Sequence, residues 1–498
     1  MADNSESQSS SSSYDETSEE VSSSEEDIVE CVKVPLQEHI AANLENRELL
    51  RDAEAITCNT TLVDNVINNY IIAKMILSNL SWQEKIICKH VCSTWNSAIF
   101  ALQREQLCPA DFVVDFKTFM LKKSYTFDSE PLVVFSFANT TGLSISSSCS
   151  QVSSEQVHPW NFRSYQVPPA SCNTMIPLRC SKVCGQKHCC IDLVQHYVCA
   201  PKHCMLTVRA GYLSYLPLQN SPTHIHTILR SMFRKPFPFL GGLFIPVIPD
   251  VKFHVINIKS NRNMQRDFYN VVNEIGSNRI FKGILVFVTE NFLLQSAEDF
   301  YYLNHFRELQ PDTPYALGGC IVEDTMFGPT DIDHVIDRVN DGTDFVSENL
   351  ISIGMFTLPK ISELDQSEKN NFEVFSLVIE SSDSTKAKIQ KTITEFSNKV
   401  PRFEHSIVLK LSCIGRDQKH DVEQNFFRDA FPNTRLIGCY GNGELGLNHP
   451  ERATDDMPSH KRFCPEQGPQ IGIIYSYSTI FFYIGWGKIT SPQGPVKV

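Results

Sequence analysis

Apolar positions between Tyr70 and Trp95 recur at helical spacing. Ile71, Ile72, Met75, Ile76 and Leu80 line one side of a first predicted helix. Ser81, with Glu84 three residues later, is a capping-box pattern that starts a second helix. That helix carries Ile87, Val91 and Trp95 at i, i+4 and i+8, with Ile86 and Cys88 beside them. Two short amphipathic helices meeting at a sharp corner are expected. About thirty residues cannot bury so much apolar surface among themselves. Part of it must pack on another domain or another protein.

From Asp111 the pattern changes to short β-rich runs, Phe112–Phe116 and Leu132–Phe137, followed by a Ser/Pro-rich insert over 140–171. Beyond it, strand and helix periodicities alternate twice in the same order. The first copy predicts a strand at Val251–Ile258, a helix at about 263–275 and a strand at Gly283–Val288. A helix through Phe306-Arg307-Glu308 and a strand running into Gly318-Gly319 complete it. The second predicts a strand at Val374–Ile379, a helix at about 385–399 and a strand at Ser406–Leu411. A helix through Phe427-Arg428-Asp429 and a strand running into Gly438 follow. Pro311-Asp312-Thr313 and Pro432-Asn433-Thr434 correspond at a fixed offset, which marks a duplicated unit. The expected fold class is α/β in the mixed α+β sense. A small helical segment precedes a two-lobed, pseudo-repeated module of sheets flanked by helices.

Charge sharpens the division. Residues 1–30 hold ten of the acidic side chains and no Lys or Arg, so the net charge of −13 shrinks to about −3 over the remainder. A Ser/Glu-rich segment over 1–35 is expected to be a disordered acidic tail, and the nearly neutral body excludes an electrostatic nucleic-acid binder. No apolar run approaches the roughly 20 residues of a membrane span. Met1 opens a polar tract unlike a signal peptide. The seventeen cysteines therefore read as reduced thiols of a cytoplasmic and nuclear protein.

The order Ile76-Leu77-x-x-Leu80, then Val91-Cys92-x-x-Trp95, resembles an F-box, with Asn68-Asn69 where most F-boxes open with Leu-Pro. The glycine turn Ile437-Gly438-Cys439-Tyr440-Gly441-Asn442-Gly443-Glu444-Leu445-Gly446, after the strand to Cys413 with Ile414-Gly415-Arg416, resembles the FIST C-terminal domain. Leu285-Val286-Phe287 with Leu317-Gly318-Gly319 resembles its FIST N-terminal partner. The chain is thus similar to F-box proteins carrying FIST domains. The resemblance implies an F-box over 62–108, a FIST N-terminal domain over 110–325 and a FIST C-terminal domain over 345–498 with an insert at 447–468. It also implies a non-catalytic substrate receptor of a Skp–cullin–F-box ubiquitin ligase. Ile76, Leu77, Leu80, Ile86, Ile87, Val91, Cys92 and Trp95 would bind the Skp adaptor, and through it the cullin core. The FIST lobes would bind the protein to be ubiquitinated. A small-ligand sensor that regulates protein interactions is the alternative.

Gly441-Asn442-Gly443 reads either as a tight turn or as a loop facing a ligand amine, with Glu444 as acidic partner. Gly318, Gly319, Cys413 and Arg416 complete that candidate pocket. A guanidinium near Cys413 favours thiolate, with His420 as the sequence-near base; a packed, inert thiol is the other reading. No G-x-S-x-G, H-E-x-x-H or P-loop occurs, and no cofactor is expected. Between Cys180 and Cys204 six cysteines and three histidines cluster without C-x-x-C spacing. Cys180, Cys184, His188 and Cys189 are the zinc candidate, and buried reduced thiols beside the helix of Ile191–Val198 are the alternative.

Overall fold

Asn69 opens the helical segment by stopping one helix and capping the next. It separates α1 (Thr60–Asn68) from α2 (Tyr70–Ser78), and its side chain accepts hydrogen bonds from the Ile71 and Ile72 amides. Ser81 and Glu84 form the expected capping box at the start of α3 (Trp82–Cys88). The second expected helix is, however, two. Cys92 is extended and starts α4 (Ser93–Glu105), which leaves Val91 in the turn between them. Ala73 and Leu77 of α2 pack on Ala98, Ile99 and Leu102 of α4, with Leu80, Cys88 and Trp95 at the margin.

The structure, a computed structural model, describes residues 60–148, 175–178, 187–198, 200–218, 238–259, 264–290, 292, 303–327, 347–360, 371–452 and 474–490. The tail at 1–35, Cys180 and Cys184, and most of the inserts at 140–171 and 447–468 lie outside them. Asn65–Val498 form one unit.

This unit is mixed α+β, and its sheets reveal three copies of one topology where the sequence suggested two. The first copy comprises β1 (Ala110–Asp115), β2 (Met120–Lys123), β3 (Pro131–Ala138), α5 (Thr140–Ser144), β4 (Ser146–Ser148), β5 (Met175–Pro177), β6 (Lys187–Cys189) and α6 (Cys190–Val198). It closes with β7 (Met205–Arg209), β8 (Tyr212–Leu216) and β9 (Leu240–Pro246). The second runs β10 (Lys252–Lys259), α7 (Met264–Asn278), β11 (Arg279–Thr289), α8 (His305–Leu309), β12 (Ala316–Val322), β13 (Asp324–Phe327) and β14 (Asn349–Pro359). The third runs β15 (Glu373–Ile379), α9 (Lys386–Lys399), β16 (Arg402–Cys413), α10 (His420–Ala430), β17 (Arg435–Gly441), β18 (Glu444–Leu447), β19 (Ile474–Tyr475) and β20 (Thr479–Thr490).

In each copy the last strand inserts between the first two long ones, giving β1-β9-β3-β7, β10-β14-β11-β12 and β15-β20-β16-β17. The final pair of each set is parallel and the return strand antiparallel. The short strand after each parallel pair leaves its own sheet. β13 pairs with β7, β18 with β12 and β8 with β17, all antiparallel. Each copy therefore receives its fifth strand from another copy, in a closed cycle. β14 belongs to the second sheet, so that copy extends to Pro359 and does not end at 325.

Packing follows the same threefold plan. Inner faces of the three sheets meet in one core containing Phe135, Leu285, Phe287, Phe356, Leu409, Ile437, Phe482 and Trp486. Each outer face is covered by its own helices: α6 on the first sheet, α7 and α8 on the second, α9 and α10 on the third. No described helix is long and apolar enough to cross a membrane.

Candidate functional site

Two places bring the expected residues together: the outer face of the helical segment and the C-terminal end of the third sheet. Helical geometry decides which apolar residues of α2 face inward. Ala73 and Leu77, four apart, are fully buried, whereas Ile71 is 69% exposed and Met75 65%. Tyr70, Ile72 and Ile76 are also exposed, as are Ile87 near the end of α3, Val91 in the following turn and Phe100 on α4. Lys89 lies over the Phe100 ring at 5.4 Å.

The eight expected docking residues therefore separate. Ile76, Ile87 and Val91 are exposed. Leu77 is a core residue and offers nothing to a partner. Leu80 and Trp95 pack on the same small core, and the Trp95 indole N–H donates to Ile67 O at 3.0 Å, tying α1 to α4. Cys92 points its thiol at the same carbonyl, and Ile86 lines the seam with the first copy. Ile71, Ile72 and Met75, absent from the expected set, are the most prominent exposed group. Their place in the helical repeat was readable, but which side faced inward depended on α4.

In the third copy, strand polarity and helix α10 assemble a buried ionic group. Lys410 of β16 interrupts an apolar run and is fully buried. Glu423 of α10, also fully buried, accepts from Arg416 Nε at 2.5 Å, Lys410 Nζ at 3.3 Å and Thr479 Oγ at 2.8 Å. Arg416 spends its other donors on the Glu380, Tyr477 and Asp383 carbonyls. It is a structural buckle and not a ligand anchor. Burial holds the Lys410 ammonium below its ordinary pKa, against the opposing pull of Glu423. His420 Nδ1 faces the Tyr440 hydroxyl and Lys410 Nζ, and burial with the Lys410 charge pushes its pKa down to about 2. His420 is therefore neutral and engaged with these groups. Cys413 is buried, its amide bonded to Ser478 O.

The glycine turns hold protein where a ligand was one reading. Gly318 and Gly319 lie inside β12 and not at a turn. A Cβ on Gly319 would stand 1.9 Å from Val286 O, and one on Gly318 2.9 Å from the Phe482 ring. A Cβ on Gly441 would stand 2.4 Å from Ile321 O, and Gly443 has φ +144°. The tip is fastened to β12, with Asn442 N donating to Ile321 O and Ile321 N to Gly443 O, both at 2.9 Å. The exposed Asn442 side chain donates to Glu290. Glu444 opens the exchanged strand β18 and is fully buried. One carboxyl oxygen accepts from the Ser478 amide and hydroxyl; the other has no hydrogen-bond partner among the described residues. Burial raises its pKa to about 8 despite those bonds, so it is largely neutral at physiological pH and unsuited to hold an amine by charge.

Of the zinc candidate, Cys180 and Cys184 lie outside the described residues. His188 sits in β6, not on a helix, and its Nδ1 bonds Asp192 at 2.9 Å. Burial pushes the Cys189 thiol up to about 11. Among the described residues no group of three or more His, Cys, Asp or Glu side chains is placed to hold a metal. No family model and no curated protein matches the chain.

Proposed function

We propose that the helical segment is an F-box-like docking module that binds a Skp-type adaptor of a cullin ubiquitin ligase. The three-copy body then carries the surface for a protein to be ubiquitinated. The observation that carries the reading is the apolar outer face of α2 with Ile87 and Val91. Among the described residues the large hydrophobics exposed on the body are scattered singly, whereas these lie together in water, as an interface does before its partner arrives. On this reading the chain supplies proximity: the adaptor fixes one end, the body holds the substrate, and transfer chemistry belongs to other subunits. The buried ion group, in which Glu423 accepts from Arg416, Lys410 and Thr479, and the filled glycine turns support a non-catalytic role.

The test is capture of a purified Skp adaptor by the full chain. Truncating a central apolar anchor costs about 2–4 kcal/mol, so Ile71→Asp with Met75→Asp should weaken capture at least 100-fold while the melting temperature stays within about 1–2 °C. Undiminished capture overturns the assignment.

A further inference from the structure

We propose that Lys85 is a positioning residue that pins the helical segment to the first copy, so that the apolar face of α2 keeps one orientation to the body. The consequence for ubiquitin transfer rests on the reading above; the pinning itself does not.

Lys85 lies on α3, a helix whose neighbours Ile87 and Glu84 are exposed, yet it is only 4% exposed. Its ammonium donates to Gln106 Oε1 at 2.8 Å and to the backbone carbonyl of Asp128 at 3.0 Å. Both acceptors are uncharged, and burial lowers its pKa. A lysine free to reach water does not adopt such a place unless the surrounding contacts hold it there. In the seam around it Trp82, Ile86 and Ile99 from the helices meet Val247 from the first copy, beside Asp128, Ser129 and Glu130. The space they leave is about 20 Å³, room for one water. Greasy contacts of that kind fix distance but not register. Hydrogen bonds fix register, because a shift of one residue strands a buried donor.

Further bonds act at the same end of α4. Gln103 donates to Glu130, and Ser129 Oγ donates to Gln106 O at 2.6 Å. Trp486 of the third copy donates its indole N–H to Leu107 O at 2.9 Å. The segment between α4 and β1 is thereby held by two of the three copies. A receptor that works by proximity gains most when the linkage between its two binding surfaces is stiff.

The experiment places spin-labelled non-natural amino acids at the exposed positions His90 and Lys391 of the full chain and measures their distance distribution by pulsed electron resonance. Wild type should give one narrow peak. Lys85→Met keeps the apolar stem and removes the ammonium; it should at least double the peak width while adaptor capture and the melting temperature of the body are retained. Lys85→Ala should broaden it further. A broad peak in wild type, or a wild-type width in Lys85→Met, overturns the proposal. Loss of adaptor capture by wild type alongside a narrow peak sinks the docking reading and leaves the pinning intact.

Discussion

Replacing Glu423 with Gln removes one charge and almost no volume from the third copy, leaving Lys410 and Arg416 buried with no counter-charge on that side chain. Breaking a buried pair from one side costs about 3–5 kcal/mol. An independent bound comes from Lys410, which can shed its proton. At pH 7 neutralising a lysine with a pKa of about 10.4 costs roughly 1.4 kcal/mol for each of some 3.4 units, about 5 kcal/mol. The two estimates agree. They also predict a pH dependence. In the variant the folded Lys410 has a pKa depressed further below its unfolded value, so the unfolded state binds more protons and stability rises with pH. The deficit should shrink by up to about 1.4 kcal/mol per unit between pH 7 and 10. Thermal denaturation of the full chain reads this directly. At roughly 1–2 °C per kcal/mol for a body this large, Glu423→Gln should melt about 4–8 °C below wild type at pH 7 and close most of that gap by pH 9.5. A gap that does not change with pH would show that Lys410 is not the group left stranded. No gap at all would mean that the ion group contributes nothing.

Gly443→Val should lower stability by about 1–3 kcal/mol, because φ is +144° and the new Cβ would meet Ile321 at 3.0 Å; a melting curve identical to wild type refutes this. Glu444 has a folded pKa raised to about 8, so its contribution is complete below about pH 4.5 and is lost as pH rises through 8. Glu444→Gln should thus match wild type at pH 5 and melt higher at pH 9, and the reverse order contradicts the burial argument. Trp95→Ala should loosen the helical segment by about 3 kcal/mol through lost packing and the freed Ile67 carbonyl, seen as faster amide exchange in α1 and α4. Expressed alone, residues 361–498 lack β8 and leave β17 with an open edge; a soluble, cooperatively melting monomer would argue against the strand exchange.

Much of this fold was legible because strands buried on both faces and amphipathic helices carry different periods. Val374–Ile379 and Ser406–Leu411 fall within β15 and β16, and the repeated Phe-Arg-acid motif marks α8 and α10. The first copy stayed hidden for a physical reason. Where the other copies connect their first two strands by a helix, it uses the β2 hairpin, and an insert interrupts the crossover to β7. No helix joins its first two long strands, and only the short helix of Ile191–Val198 was legible in the crossover. The break between α3 and α4 was equally silent, since Ile87, Val91 and Trp95 keep one period whether or not the chain turns at Cys92.

The candidate site was legible in part, and the misses share a cause. Gly-Asn-Gly signals a turn, and a turn is found, but whether a ligand or a strand fills the space beyond it depends on chain far away in sequence. Here it is Ile321, delivered by the second copy. Lys410 did carry a signal, since a charge inside Ile407–Leu411 must find a partner if that strand is buried; the partner, Glu423, lies on a helix whose polar face gives no sign of it. Because each copy is finished by a strand from another, a residue at these junctions answers to two copies at once. Glycine at 441 and 443 is then explained by crowding against Ile321 where copies meet, and at 319 by Val286 O of the neighbouring strand in its own copy, without any ligand. The exchange does not reach the outer face of α2, where Ile71 and Met75 stay exposed.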